Sequence, residues 1–179
     1  MKTTEILIAG FGGQGILFSG KFLAYKGLVE ELQVSWLPSY GPEMRGGTAN
    51  CNVILSDTPV GSPIITAPSV LIAMNLPSLE KYVDSVVAGG QIYVDSSLID
   101  VKVERDDVEV FYIPATQMAK DEGISSLANM IIVGYLLENH PELSFDGVEG
   151  VVEKLVPPKK AALKELNMKA LSLGKNYNK

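Results

Sequence analysis

The sequence predicts an α/β fold: a Rossmann-like open, mostly parallel sheet with helices on both faces and a C-terminal helical extension. Three observations predict it. Short Ile-, Leu- and Val-rich runs alternate with segments of helical period along the 179 residues. The glycine turn Gly10-Phe11-Gly12-Gly13-Gln14-Gly15 stands between the first such run and the first helical pattern. Further on, Val70-Leu71-Ile72-Ala73-Met74 is continuously apolar, as expected of a strand covered on both faces.

In order, Glu5 to Ala9 reads as strand one and Ile16 to Leu28 as helix one. The glycines suit a tight turn, a close approach of phosphate or backbone, and contact between helix and strand with no intervening Cβ. The turn therefore either receives an anion on the helix N-terminal amides or serves chain geometry alone. Gln33 to Leu37 reads as strand two, ended by Pro38. A nicotinamide-binding fold needs an acidic residue at the end of that strand to hold the ribose, and Leu37-Pro38-Ser39-Tyr40 stands there instead. That substitution argues against NAD.

The segment Ser39-Tyr40-Gly41-Pro42-Glu43-Met44-Arg45-Gly46-Gly47-Thr48 cannot form regular structure, yet it carries Tyr40, Glu43 and Arg45. A planar guanidinium on a glycine-flanked loop suits recognition of a phosphate, a carboxylate or a partner chain; a surface pair of Glu43 with Arg45 is the structural alternative. Ala49 to Ser56 reads as a third strand, and Pro63 and Pro68 keep the following stretch out of the sheet interior. After Val70 to Met74, Asn75 caps a helix opened by Leu76-Pro77 or faces a ligand at the strand's carboxyl end. Gln91 to Asp95, Val101 to Val103 and Val108 to Ile113 supply the remaining extended elements.

Leu127 to Glu138 reads as a buried helix in which Asn129 is a satisfied core polar group, and His140, the only histidine, caps or solvates its end. A short helix from Val148 to Leu155 is broken by Pro157-Pro158. A lysine-rich helix then runs from Lys159 to about Leu173, with Leu163, Leu166, Ala170 and Leu173 as its apolar stripe and a solvated basic face. One domain spanning 1–179 is expected, with residues from about 156 onward as the C-terminal helix.

A net charge of −6 argues against nucleic acid, which needs clustered Lys and Arg. Cys51, the single cysteine, lies in an apolar-leaning run and reads as a buried, inert thiol; no Cys/His spacing holds zinc or an iron–sulfur cluster. Neither a signal peptide nor a membrane-spanning run is found, so the expectation is a cytoplasmic chain with no membrane partner. A self-sufficient enzyme would carry a nucleophile with its base, a carboxylate pair, a metal cluster or a cofactor motif. None is present: well-specified loops without a reaction suggest a subunit that completes another chain's site.

The glycine turn, the segment from Ser39 through Asn50, and then Gly61-Ser62-Pro63, Ala73-Met74-Asn75 and Ala128-Asn129-Met130, in that order, resemble the gamma subunit of 2-oxoacid:ferredoxin oxidoreductases over nearly the whole chain. The resemblance implies a complex that decarboxylates a 2-oxoacid on thiamine diphosphate, passes electrons through iron–sulfur clusters to ferredoxin and releases an acyl-coenzyme A. It implies alpha and beta subunits, and in some complexes a ferredoxin-like delta subunit, that carry the thiamine diphosphate, magnesium and clusters. No cofactor is then held tightly by this chain, and coenzyme A is a co-substrate. The gamma domain is associated with assembly and with the coenzyme A side of the active centre, through Gly12, Gly13, Gln14 and Gly15 on the turn and Ser39, Tyr40, Glu43, Arg45 and Thr48 on the loop. Met44-Arg45-Gly46-Gly47-Thr48 looks more like 2-oxoglutarate or branched-chain (2-oxoisovalerate) enzymes than pyruvate enzymes. A stand-alone nucleotide-binding protein and a purely structural subunit are the alternatives.

Overall fold

The computed structural model describes residues 2–39 and 48–177. A six-stranded sheet runs through them in the order β2-β3-β1-β4-β5-β6. The strands are β1 (Thr3–Phe11), β2 (Gln33–Pro38), β3 (Thr48–Ser56), β4 (Val70–Ala73), β5 (Gln91–Asp95) and β6 (Glu109–Ile113). The helices are α1 (Ile16–Val29), α2 (Leu76–Tyr82), α3 (Ala115–Asp121), α4 (Ala128–Asn139), α5 (Val148–Leu155) and α6 (Ala161–Lys175). The predicted α/β architecture is thus present, with the C-terminal helices in place.

Side-chain alternation divides the core by face. Ile6, Ile8, Val70, Ile72 and Tyr93 point into a large layer under α1, α3, α4, α5 and α6. Leu7, Leu71, Ala73, Ile92 and Val94 point into a smaller layer under α2 and the segment 96–108. Every residue of α4 from Ala128 to Leu137 is buried, because this helix lies between the sheet and α6.

Four details differ from the sequence expectation. Gly10 belongs to β1 rather than to the turn, so the turn proper is Gly12 to Gly15. Strands β1 and β2 are not neighbours: β3 lies between them and is antiparallel to both. Its alternation of Asn50 and Asn52 with buried Cys51 and Val53 is the antiparallel signature, unlike the unbroken apolar run of β4. Residues 101–103 form no strand. Instead, Arg105 ties that segment down by donating Nη1–H bonds to the carbonyls of Val83 at 2.8 Å and Val86 at 2.9 Å, with Asp107 as its ion partner. Finally, α6 packs through Asn167, Ala170, Leu171 and Gly174, while Leu163 and Leu166 remain exposed.

Candidate functional site

The sheet's carboxyl edge carries the glycine turn, Ser39 and the start of β3. Strand β1 ends at Phe11, and Phe11 pairs directly with Thr48 at the start of β3. Strand β2 ends at Pro38, opposite Cys51 of β3, and Ser39 N–H extends the ladder to the Asn50 carbonyl at 2.9 Å. The glycine turn and the two ends of the 39–48 loop therefore meet at this edge, through the antiparallel pairing of β3. Ser39 is exposed at this edge. Thr48 contributes its backbone to the pairing. Tyr40, Glu43 and Arg45 lie outside the described residues.

The chain leaves β1 toward β2 and β3 on one side and returns to β4 on the other, with α1 and α2 on opposite faces. A topological switch point therefore lies between the carboxyl ends of β1 and β4, the usual place for a ligand in an open α/β sheet. Gln14 fills it. Its Oε1 accepts from the Phe11 N–H at 2.5 Å and its Nε2 donates to the Met74 carbonyl at 2.9 Å. A Cβ at Gly10 would come within 2.6 Å of that Oε1, so the glycine in the strand makes room for the Gln14 carboxamide.

Gly13 and Gly15 take left-handed backbone, at φ 93° and 74°. Gly15 is the N-cap of α1 and provides no side-chain cap. The third glycine's close approach is made to another helix: a Cβ there would lie 2.5 Å from Nδ2 of Asn129. Asn129 instead donates to the Gly15 carbonyl at 3.1 Å and to Ser19 Oγ at 3.0 Å, which fixes the turn against α4. Beside the turn, Phe11, Gly12, Gly13, Leu17, Phe18 and Ala49 line an open hollow of about 270 Å³.

Neighbouring polar residues serve the scaffold. Asn75 Oδ1 accepts from the Ser78 N–H at 2.8 Å, the capping role expected of it. The buried Asp95, which the sequence reading passed over, accepts from the Ser97 and Thr116 N–H groups and from Thr116 Oγ1. An aspartate ending a strand immediately before Ser-Ser is a recognisable turn signal. Cys51 is fully buried, and burial pushes its thiol up to about 12. His140 Nδ1 accepts from the Glu142 N–H at 3.2 Å, and burial holds its pKa below the ordinary value. Cys51 Sγ donates to the Ile16 carbonyl at 3.4 Å just past the turn, and His140 follows the far end of α4. Among the described residues no group of three His, Cys, Asp or Glu side chains could hold a metal ion, and no helix is long and apolar enough to cross a membrane.

A family model described as pyruvate ferredoxin/flavodoxin oxidoreductase matches residues 5–177. The chain belongs to this family. Among curated relatives, the 2-oxoglutarate synthase subunit KorC of Methanothermobacter marburgensis is 35% identical over 178 residues, covering 96% of this chain and 94% of the relative. The ketoisovalerate oxidoreductase subunit VorA of the same organism is 38% identical over 136 residues, but that match covers 76% of this chain and 28% of VorA. The keto/oxoacid ferredoxin oxidoreductase gamma subunit of Geobacter sulfurreducens superposes with a TM-score of 0.81 at 30% identity, covering 96% of this chain and 95% of that one. The 2-oxoglutarate:ferredoxin oxidoreductase of Magnetococcus marinus gives 0.87 at 26% identity, with this chain spanning 31% of it. Within the oxidoreductase family the chain is therefore of the gamma-subunit type, as the ordered motifs implied. In VorA and in the Magnetococcus chain the same unit is a part of something longer.

Proposed function

We propose that this gamma-type chain works inside a multi-subunit complex that oxidatively decarboxylates a 2-oxoacid to an acyl-coenzyme A and reduces ferredoxin. In this reading alpha and beta subunits, with a ferredoxin-like delta subunit in some complexes, carry thiamine diphosphate, magnesium and iron–sulfur clusters, and the chain works in the cytoplasm. The residues of this chain fit that division of labour, since its sequence carries no nucleophile paired with a base, no carboxylate pair and no metal-ligand spacing. The observation that carries the reading is the Phe11–Thr48 pairing, which places the glycine turn and the ends of the 39–48 loop at one carboxyl edge. The relatives' names support a 2-oxoacid substrate, with 2-oxoglutarate or 2-oxoisovalerate favoured by KorC and VorA.

At that edge Gly12, Gly13, Gly15 and the uncapped first turn of α1 offer backbone N–H groups, and Ser39, Tyr40, Glu43, Arg45 and Thr48 supply the side chains of the loop. Arg45 steers the anionic coenzyme A or braces the thiamine-bearing subunit, and Gln14 positions the turn. The related Magnetococcus structure, which is described as containing coenzyme A and succinyl-coenzyme A, supports a coenzyme A role. The switch point filled by Gln14 speaks against a stand-alone dinucleotide-binding protein.

The complex purified with Arg45→Ala tests the site. A rise of about tenfold or more in KM for coenzyme A, with 2-oxoacid KM unchanged, is expected if one charge-assisted contact is lost. Wild-type coenzyme A kinetics would leave the chain as a structural subunit. Affinity purification from the native cell tests the assembly, and recovery of the chain without thiamine- and cluster-bearing partners would overturn it.

A further inference from the structure

Helix α2 reaches both halves of the carboxyl edge. At its start Gln14 Nε2 donates to the Met74 carbonyl at 2.9 Å, and the next residue, Asn75, caps α2 by accepting the Ser78 N–H. Asn75 and Ser78 are both buried, so the first turn of α2 is fixed beside the glycine turn. At the other end Tyr82, the last residue of α2, lays its ring against the smaller core layer and accepts at Oη an Nδ2–H bond from Asn50 at 3.2 Å. A helical side chain leans toward the N-terminus of its helix, which lets Tyr82 reach back toward the carboxyl edge. Asn50 sits at the join of that edge. It lies opposite Ala9 of β1, shortly after Thr48, and its carbonyl accepts the Ser39 N–H at 2.9 Å. Its neighbour Cys51 points into the large layer under α1, so by strand alternation the Asn50 side chain belongs to the α2 face. Cover on that face thins toward β2, where Leu37, opposite Asn52, is 38% exposed. The Asn50–Tyr82 bond therefore restrains the start of β3 where packing contributes least.

On the basis of the coenzyme A role proposed above, we infer that Tyr82 is a positioning residue for that edge. Through Asn50 it sets Ser39 and the start of β3 against the glycine turn, which Gln14 ties to the opposite end of α2. Tyr82 acts at one remove from the ligand. A ligand that must meet the turn and the β3 side together binds only those chains in which the two are in register, so its apparent affinity falls in proportion to the fraction that are. Loosening the brace therefore raises KM for coenzyme A and leaves the chemical step on the partner subunits unchanged. The 2-oxoacid, bound on those other subunits, is unaffected.

The test uses the purified complex carrying Tyr82→Phe, Asn50→Leu or both, beside the Arg45→Ala complex. Tyr82→Phe keeps the ring in the core layer and removes only the acceptor oxygen, so it does not threaten folding. Each single variant is expected to raise KM for coenzyme A about three- to fivefold, the effect of one neutral hydrogen bond, with kcat and 2-oxoacid KM at wild-type values. The double variant is expected to rise no further, because both changes remove the same bond. Wild-type coenzyme A KM in Tyr82→Phe, where Arg45→Ala raises it, overturns the positioning role and leaves the coenzyme A reading standing. Wild-type coenzyme A KM in both removes the two together. Additive rises in the double variant, or an equal shift in kcat or 2-oxoacid KM, assign Tyr82 to general packing and overturn the brace.

Discussion

Gly15 meets two demands at once, a left-handed backbone at φ 74° and the flat approach of the Asn129 carboxamide. Gly13, at φ 93°, meets only the first, since a Cβ there finds open space. Gly13→Ala should therefore lower stability by about 1 kcal/mol from backbone strain alone, and Gly15→Ala by about 2–3 kcal/mol, as measured by urea unfolding. Equal losses would show that the Asn129 contact contributes nothing. Cys51 leads to a chemical prediction. With its pKa near 12 and its Sγ buried against the Ile16 carbonyl, the thiolate is scarcely populated at neutral pH, so iodoacetamide should label the chain only as it unfolds. His140 gives the pH dependence. Burial lowers its folded pKa beneath the ordinary 6.5, so the unfolded chain binds the extra proton first as pH falls. Stability from this group is intact above about pH 6.5 and is lost as pH drops toward the folded value. His140→Gln should flatten urea-midpoint profiles in that window, and an unchanged slope would assign it to other groups. The sequence revealed the buried thiol and the Asn75 cap, because each depends on neighbours a few residues away. The meeting of Gly15 with Asn129 spans more than a hundred positions, and neither residue's local pattern reports it.

Helix α6 shows what periodicity can and cannot read. The sequence marks a helix there, and α6 spans Ala161–Lys175. The leucines at 163, 166 and 173 suggested a hydrophobic stripe, yet the packed face runs through Asn167, Ala170, Leu171 and Gly174, and the glycine lets α6 cross α4 at backbone contact. A Cβ on Gly174 would lie 2.7 Å from the Tyr135 nitrogen, and one on Gly134 would lie 2.8 Å from the Leu171 carbonyl carbon. Since backbone cannot step aside as a side chain can, Gly174→Ala should separate the helices and destabilise the chain by about 2–4 kcal/mol. Gly150, inside α5 and exposed with nothing near its Cβ position, makes the opposite comparison. Gly150→Ala should stabilise by about 0.5–1 kcal/mol through helix propensity. Both are read from urea midpoints, and a neutral Gly174→Ala would refute the close crossing. Residues 101–103 mark the reverse limit. Their alternation fits a strand, but the backbone carbonyls of Val83 and Val86 are taken by Arg105 from the same segment, which holds it over the α2 face and off the sheet edge.

At the scale of the molecule, the alternation of strands and helices was legible, whereas the order of the strands was not. Placing β3 between β1 and β2 requires that residues 33–38 and 48–56 form an antiparallel pair, and the intervening segment gives no turn signature that fixes its register. That placement sets the function of the carboxyl edge. It leaves the switch point between β1 and β4 to Gln14 and moves the open surface sideways, onto the turn and the β3 start, where Phe11 is 41% exposed. An exposed aromatic ring beside uncapped amides is suited to being covered by another subunit. Amide hydrogen exchange compared between the isolated chain and the purified complex checks this. Peptides containing residues 11–18, 36–39 and 48–51 should exchange at least about tenfold more slowly in the complex, since an interface that adds about 1.4 kcal/mol to local opening slows exchange by that factor. The opposite edge strand β6, whose ladder partner is β5 alone, serves as the internal comparison. Protection at β6 with none at the carboxyl edge would place the partner on the other side of the sheet and remove the turn from the composite site.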